Sequence, residues 1–400
     1  MSRPAGLLPA LAGMLVLAVA IGIGRFAFTP VLPMMQQDYA LSISTAAWLA
    51  SANYIGYFLG ALSAVWLRYS PRLMIVIALT AIALTTIGMG FWQQPAIWLL
   101  LRAIAGITSA WALVFASAWV LPILAQLGQL RLGGLMFAGV GLGTALAGIA
   151  CLLFLIFAWS SDQAWIALGL LAVGCMIVLG LIQRSPVFPA TQPVTSRAET
   201  AHRSSTRSGS QGETANQPFR FFLLPIICYG LFGFGYIIPA TFLPTMAKTL
   251  IPDPLLFGWA WPVFGLAALS STLLAGWLSA RVHNRTIWAV SHLVMALGVS
   301  IPVLWPGLGG ILLSALGVGG TFVVATLTGM QEARRIAPPQ QAQSLMAAMT
   351  AAFALGQIVG PLLVNLLGSQ ADDFSTPLLI AALATGGSGI VLLWSDKTAV

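Results

Sequence analysis

Two arginines, Arg25 and Arg102, each interrupt a long apolar run. An ionised side chain in a bilayer core costs about 2.5–3.5 kcal/mol on insertion scales, so such a residue is a functional candidate by default. Arg25 belongs to the segment GIGRFAFTPVLPMM, Gly22 to Met35, and a second copy, GFGYIIPATFLPTM, runs from Gly233 to Met246. Both glycines, the Leu-Pro pair and the last methionine recur at the same spacing, whereas Tyr236 replaces the arginine. Pro30 and Pro33 remove backbone donors and are expected to loosen or end the helix. A guanidinium is a planar fork suited to carboxylate or phosphate. No Asp or Glu lies within an apolar run to neutralise either arginine, and Asp38, Asp162, Asp253, Asp372 and Asp373 fall in loops or at helix ends. That imbalance points to an anionic ligand; the bland alternative is that one or both arginines bond backbone carbonyls freed by the broken first helix, or snorkel outward.

The elements that position these residues follow from composition. The chain is 59% hydrophobic and 6% charged, with a mean hydropathy of +0.94. Soluble domains carry roughly 25% charged residues, so this is a bilayer protein. The basic balance, 17 Lys and Arg against 9 Asp and Glu, does not mark a nucleic-acid partner, because the basic residues sit mostly in short loops between apolar runs. Cys151, Cys175 and Cys228 lie within apolar runs and form no CxxC, so they read as reduced residues with no disulfide or metal role. No cofactor is expected. The amino terminus resembles a signal peptide, but its apolar run continues to Met35 and its far end is repeated internally, so it is taken as the first span.

A span needs about 20 apolar residues. Twelve are expected, at 8–34, 44–67, 73–92, 96–121, 132–158, 164–182, 219–244, 256–279, 286–305, 308–330, 344–367 and 376–394. With the amino terminus in the cytoplasm, the inner loops and tails hold Arg3, Arg68, Arg72, Arg131, Arg184, Arg197, Arg203, Arg207, Arg220, Arg281, Arg285, Arg334, Arg335 and Lys397, and the outer loops only Lys248. This bias places both termini in the cytoplasm. Gln183 to Pro218 is polar and reads as a flexible cytoplasmic linker, dividing the chain into 1–182, 183–218 and 219–400. Arg68-Tyr-Ser-Pro-Arg72 is echoed by Arg281-Val-His-Asn-Arg285, and FAGVGLG in span five by FALGQIVG in span eleven. Two six-span halves in the same orientation form a parallel repeat.

Here the chain resembles the major facilitator superfamily over nearly its whole length. GWLSARVHNR, Gly276 to Arg285, is similar to the family's inner-loop signature, with Ala280 in the place of its acid and Leu67 at the equivalent place after span two. That weakens the expectation of the family's usual inner-gate salt bridge. Arg102-Ala-Ile-Ala-Gly106 resembles the arginine motif of the fourth span. GIGRFAFTPVLP and FALGQIVGP resemble the YbfB/YjiJ-type branch. The resemblance implies an all-α membrane protein of twelve transmembrane helices, in two six-helix bundles related by a pseudo-two-fold axis. Spans 1, 4, 7 and 10 would line a central cavity that opens alternately to either side, as in a secondary transporter of bacterial inner membranes.

At 1.5 Å per residue Arg25 lies roughly 12 Å, and Arg102 roughly 9 Å, below the outer boundary, at similar depth. On the face of Arg102 lie Gly106, Ser109 and Leu113, while Trp111 on the opposite face reads as packing. The second half offers uncharged polar groups: Tyr229 and Tyr236 on one face of span seven, Thr321 and Thr328 with Glu332 on one face of span ten, and Gln357 in span eleven. Asn53 and Tyr57 are one turn apart in span two. Buried polar groups often only tie spans together, at about 0.6 kcal/mol each. Glu332 is expected to pair with Arg281 or Arg285 as an inner latch, with Arg68 and Arg72 as further gating residues. Gly139, Gly141 and Gly143 imitate a nucleotide loop but lie in an apolar helix, where they suit close packing. His292, in span nine, is given a structural role.

These readings converge on a carrier for a small organic anion, with Phe26, Phe28, Tyr229 and Tyr236 suiting an aromatic one, and with Arg25, Arg102, Asn53, Tyr57, Tyr229, Tyr236, Thr321 and Gln357 as binding candidates. Its partners would be that solute and the lipid bilayer, with protons as a candidate coupling ion and the protein a monomer. No P-loop is present, so ATP is not implicated. Moving one charge across 100 mV is worth about 2.3 kcal/mol, so an uncoupled anion carrier in a cell negative inside runs outward, and export or exchange is expected. The alternatives are proton-coupled multidrug efflux, which wants a membrane acid, and a non-transporting receptor or scaffold.

Overall fold

The computed structural model describes residues 5–184, 219–251, 253–278, 281–368 and 374–394. The linker expected over 183–218 lies outside the described residues apart from Gln183 and Arg184, as do Arg3, Arg197, Arg203, Arg207, Ala280, Asp372, Asp373 and Lys397. Twelve long helices run through the described chain. They are α1 (Leu7–Tyr39), α2 (Ile43–Ser63), α3 (Pro71–Phe91), α4 (Pro95–Gln126), α5 (Gly133–Ile156) and α6 (Ser161–Gln183), then α7 (Leu223–Leu250), α8 (Ala260–Leu278), α9 (Asn284–Leu304), α10 (Leu308–Ile336), α11 (Pro339–Gly368) and α12 (Ser375–Trp394). Among the described residues, ten helices are long and apolar enough to cross a bilayer. The expected spans include two more. α2 is diluted by Ser51, Asn53, Tyr54 and Tyr57, and the apolar part of α8 is only Ala260–Ala275.

Local chemistry sets several boundaries. Ser42, Ser70 and Ser160 accept from backbone amides in the first turns of α2, α3 and α6, and Gln163 completes a capping box with Ser160. Prolines occupy the first positions of α3 and α4.

Of the two outcomes expected of the repeated prolines, ending the helix does not occur, and loosening is seen in α1 alone. α1 runs on through Pro30 and Pro33 to Tyr39, and α7 through Pro239 and Pro244 to Leu250. α1 instead widens: Ala18–Phe26 is a π-helical stretch just before Pro30. A ring that cannot donate forces the preceding turn either to kink or to widen, and here neighbouring helices supply donors to the carbonyls that remain.

α1 packs on α4 and α5, α2 on α4, and α3 on α4 and α6; the same pairings return as α7 on α10 and α11, α8 on α10, and α9 on α10 and α12. α5 against α8 and α2 against α11 join the first six helices to the last six. The α5 glycines make this closeness possible. Cβ atoms on Gly139 and Gly143 would strike the main chain of α1 at Met14 and Ala18, and one on Gly141 the main chain of α8 at Leu269. Gly143→Leu should therefore force α1 and α5 apart at a cost of about 1–3 kcal/mol or more. A clear fall in the thermal midpoint of detergent-purified protein would register it.

Candidate functional site

Pro30 has no amide hydrogen, so in the π register of this stretch one carbonyl before it, that of Arg25, loses its helical partner. Arg102 on α4 turns to that gap. Its Nη2 donates to the Arg25 carbonyl at 3.2 Å and its Nη1 to the Gly24 carbonyl at 3.5 Å. Asn53 on α2 completes the clamp, with Nδ2 reaching the Arg102 carbonyl at 2.9 Å and the Gly24 carbonyl at 3.4 Å. Ser109, two turns along α4, donates to the Ala20 carbonyl at 2.7 Å. The guanidinium of Arg102, 3% exposed, also lies over the Phe28 ring, 4.7 Å from its centroid. Gly106 lets α4 come this near, since a Cβ there would meet the Asn53 carbonyl.

Arg25 has no comparable engagement. It is 5% exposed and its guanidinium sits among three rings, 4.3 Å from the centroid of Tyr57, 5.1 Å from Tyr54 and 5.5 Å from Phe26. Contact of this kind is worth about 2 kcal/mol when desolvated. Its Nε and Nη2 have no hydrogen-bond partner among the described residues, and no carboxylate there pairs with Arg25 or Arg102.

Facing this charge from the last six helices is an aromatic stack. The Tyr236 ring lies parallel to Phe322 and Phe353, with centroids 5.5 and 5.6 Å away. Gln357 donates from Nε2 to the Tyr236 hydroxyl, and Tyr236 is within electrostatic reach of Arg25, Tyr54 and Tyr57. Phe26 closes the gap, set edge-on to Trp261 and Phe322 at 6.1 and 6.0 Å. The buried Oδ1 of Asn53, Oε1 of Gln357 and Nε1 of Trp261 also lack partners among the described residues. The centre thus presents one cation, flat apolar walls and a few unused polar atoms.

The other candidates lie elsewhere. Tyr229 donates to the Thr326 carbonyl at 3.4 Å and packs on Phe232, Trp288 and Phe353. Thr321 bonds back to the Gly317 carbonyl at 2.6 Å and lines an apolar groove of about 400 Å³ between α8, α9 and α10. Glu332, 2% exposed, is gripped by both arms of Arg335 at 2.8 Å and approached by Arg285 at 3.9 Å. Arg285 also donates to the Leu392 carbonyl at 3.1 Å, so this brace joins α9, α10 and α12. Arg72 lies over Trp119; Arg68 and Arg281 are exposed. His292 bonds Ser388 at 2.7 Å, tying α9 to α12, and Trp111 donates to Ser63 at 3.0 Å, tying α4 to α2.

Away from the arginine-rich loops the two sets of helices are stitched together. Thr29 donates to the Ala240 carbonyl at 2.8 Å, the one that Pro244 leaves without a helical partner. Tyr54 donates to Thr241 at 2.9 Å, and Lys248 to the Pro33 carbonyl at 2.8 Å. At the arginine-rich end the sets diverge around a cavity of about 710 Å³ between α4 and α5 on one side and α8 and α10 on the other. Its lining reaches Leu327, five residues or about 7.5 Å along α10 from Phe322.

A profile of the family described as "Uncharacterised MFS-type transporter YbfB" matches residues 17–393. The chain belongs to this family. It is therefore a multi-pass membrane protein of the major facilitator superfamily and a secondary transporter. The transporter has the same fold as the crystal structure of a D-xylose–proton symporter, with a TM-score of 0.71 at 15% identity over 98% of this chain and 96% of that one. It also has the fold of a point mutant of the nucleoside transporter NupG, with a TM-score of 0.68 at 17% identity over 97% and 99% of the two chains. A comparison with curated proteins finds no match.

Sequence reasoning passed over Tyr54, Thr29, Thr241 and the ring set of Phe322 and Phe353. Tyr54 had a signal: it lies three residues before Tyr57, hence beside it on the helix. Arg102→Met takes the side-chain donor from the Arg25 carbonyl and leaves the Gly24 carbonyl only Asn53, and should cost about 1–3 kcal/mol of stability. An unchanged thermal midpoint would show that this clamp does not hold α1.

Proposed function

We propose that this transporter carries a small organic anion by alternating access, with Arg25 receiving the negative charge. The observation that carries the reading is a buried guanidinium with two donor atoms unpartnered and no carboxylate beside it among the described residues. A protein tolerates such a charge where something negative arrives to meet it. The flat walls of Tyr57, Tyr236 and Phe322 suit an aromatic or otherwise planar carboxylate, and the free Oε1 of Gln357 and Oδ1 of Asn53 can accept from a hydroxyl or amine elsewhere on it. In this reading Arg102 serves the site by holding the α1 main chain.

Two six-helix halves, 1–182 and 219–400, related by a pseudo-two-fold axis, would rock about this centre. The repeated proline segment and the recurring helix pairings support that arrangement. The positive-inside bias puts the arginine-rich end and both termini in the cytoplasm of a bacterial inner membrane, so the stitched end faces outward and the cavity inward. Arg68, Arg72, Arg281, Arg285 and Glu332 belong to the gate. Glu332 there keeps the ends of α9, α10 and α12 moving as one piece. Its engagement with two arginines and the interior placement of His292 leave neither in contact with Arg25, which favours export or exchange over proton-coupled uptake.

Arg25→Gln should abolish counterflow of aromatic and aliphatic carboxylates in proteoliposomes, with a loss of tenfold or more. The same change should hold or raise the thermal midpoint, because it removes a buried charge that no acid offsets. Retained counterflow would overturn the reading.

A further inference from the structure

The cavity at the arginine-rich end has a charge pattern of its own. Arg131, in the turn just before α5, and Arg334, near the end of α10, both line it, one from each half of the described chain. Both are exposed, and neither makes a hydrogen bond or ion pair among the described residues. Other arginines at this end are engaged: Arg285 and Arg335 with Glu332, and Arg72 over Trp119. Among the described residues the remaining polar groups of the lining are Ser117, Thr272 and Gln331, with no Asp or Glu. Farther in, α5 and α8 meet at Gly141 and Leu269 and again at Gly265 and Ala145, too tightly for either residue pair to admit a side chain. Closure of the end about that seam would bring α5 and α10 together and carry Arg131 towards Arg334. Like charges brought together as water leaves repel more strongly, because the screening medium is removed.

We propose that this vestibule is a second anion site, separate from Arg25, in which a small oxyanion, carboxylate or phosphate, bridges Arg131 and Arg334 and serves as the counter-ion that lets the end close. The oxyanion is either the cargo on its way through or a soluble anion that is not itself carried. Both use the same two guanidinium groups with Ser117 and Gln331 as hydrogen-bonding neighbours, the Thr272 hydroxyl being given to the Ala268 carbonyl. The site stands whether or not Arg25 holds the cargo.

Inorganic phosphate is the probe, titrated into detergent-purified protein against sodium chloride at matched ionic strength, with the thermal midpoint as the readout. Phosphate should stabilise wild type and Arg25→Gln alike, and its apparent Kd should rise at least fivefold in Arg131→Gln and in Arg334→Gln, whose exposed positions make misfolding easy to exclude by gel filtration. Loss of the effect in Arg25→Gln would overturn the separate site, as would an effect equal in all variants or no larger than that of chloride. Closure is read by maleimide labelling of Ser117→Cys, against the parent protein as background. Phosphate should slow that labelling severalfold, but not when Arg131→Gln is added, and an unchanged rate overturns the counter-ion role. Phosphate that binds yet shows no counterflow in proteoliposomes identifies a ligand that is not cargo; phosphate counterflow identifies the cargo itself.

Discussion

A backbone carbonyl without a partner cannot remain bare in a bilayer, where no water stands ready to meet it. Pro30 and Pro244 each strand such a carbonyl, Arg25 in the π register of α1 and Ala240 on α7, and each is met by a side chain from another helix. Arg102 and Asn53 reach across from α4 and α2 to the widened turn of α1. Thr29 reaches from α1 to the carbonyl that Pro244 strands on α7. A charge that looks like binding chemistry in one case, and a hydroxyl that looks incidental in the other, are both the completion of a helix by its neighbour.

That division of labour gives Arg25 its meaning. With Arg102 occupied by main-chain oxygens, Arg25 is left as the buried cation in the centre without hydrogen bonds to Nε and Nη2. Its ring contacts offset part of the cost of burial, but rings cannot take a hydrogen bond in the plane of the fork. The π-helical stretch that ends at Phe26 sets the direction in which this side chain leaves α1, so the clamp and the charge belong to one construction.

The sequence was most legible where the signal is long. Twelve apolar runs foretold twelve helices, with ends displaced by up to six residues. It was least legible where two identical residue types have different surroundings. Arg25 and Arg102 lie at matching depth in similar apolar runs, and no spacing rule says which faces a carbonyl and which faces a tyrosine. The prolines misled for a related reason: propensity describes one helix, whereas the continuation of α1 through Pro30 depends on donors from two others. Glu332 shows a middle case. Its pairing with Arg335 is an ordinary neighbour on one helix, while its approach to Arg285 needed the fold.

The stitches between the two sets of helices, from Thr29, Tyr54 and Lys248 to Ala240, Thr241 and Pro33, are hydrogen bonds. A greasy plug must be wetted before it gives way, but a polar one can be handed over group by group. As that end loosens, entering solvent takes up each released donor and acceptor, so every parted bond forfeits only its small net worth of about 0.5–1.5 kcal/mol. The closed end is thereby secure while dry and inexpensive to unfasten once damp.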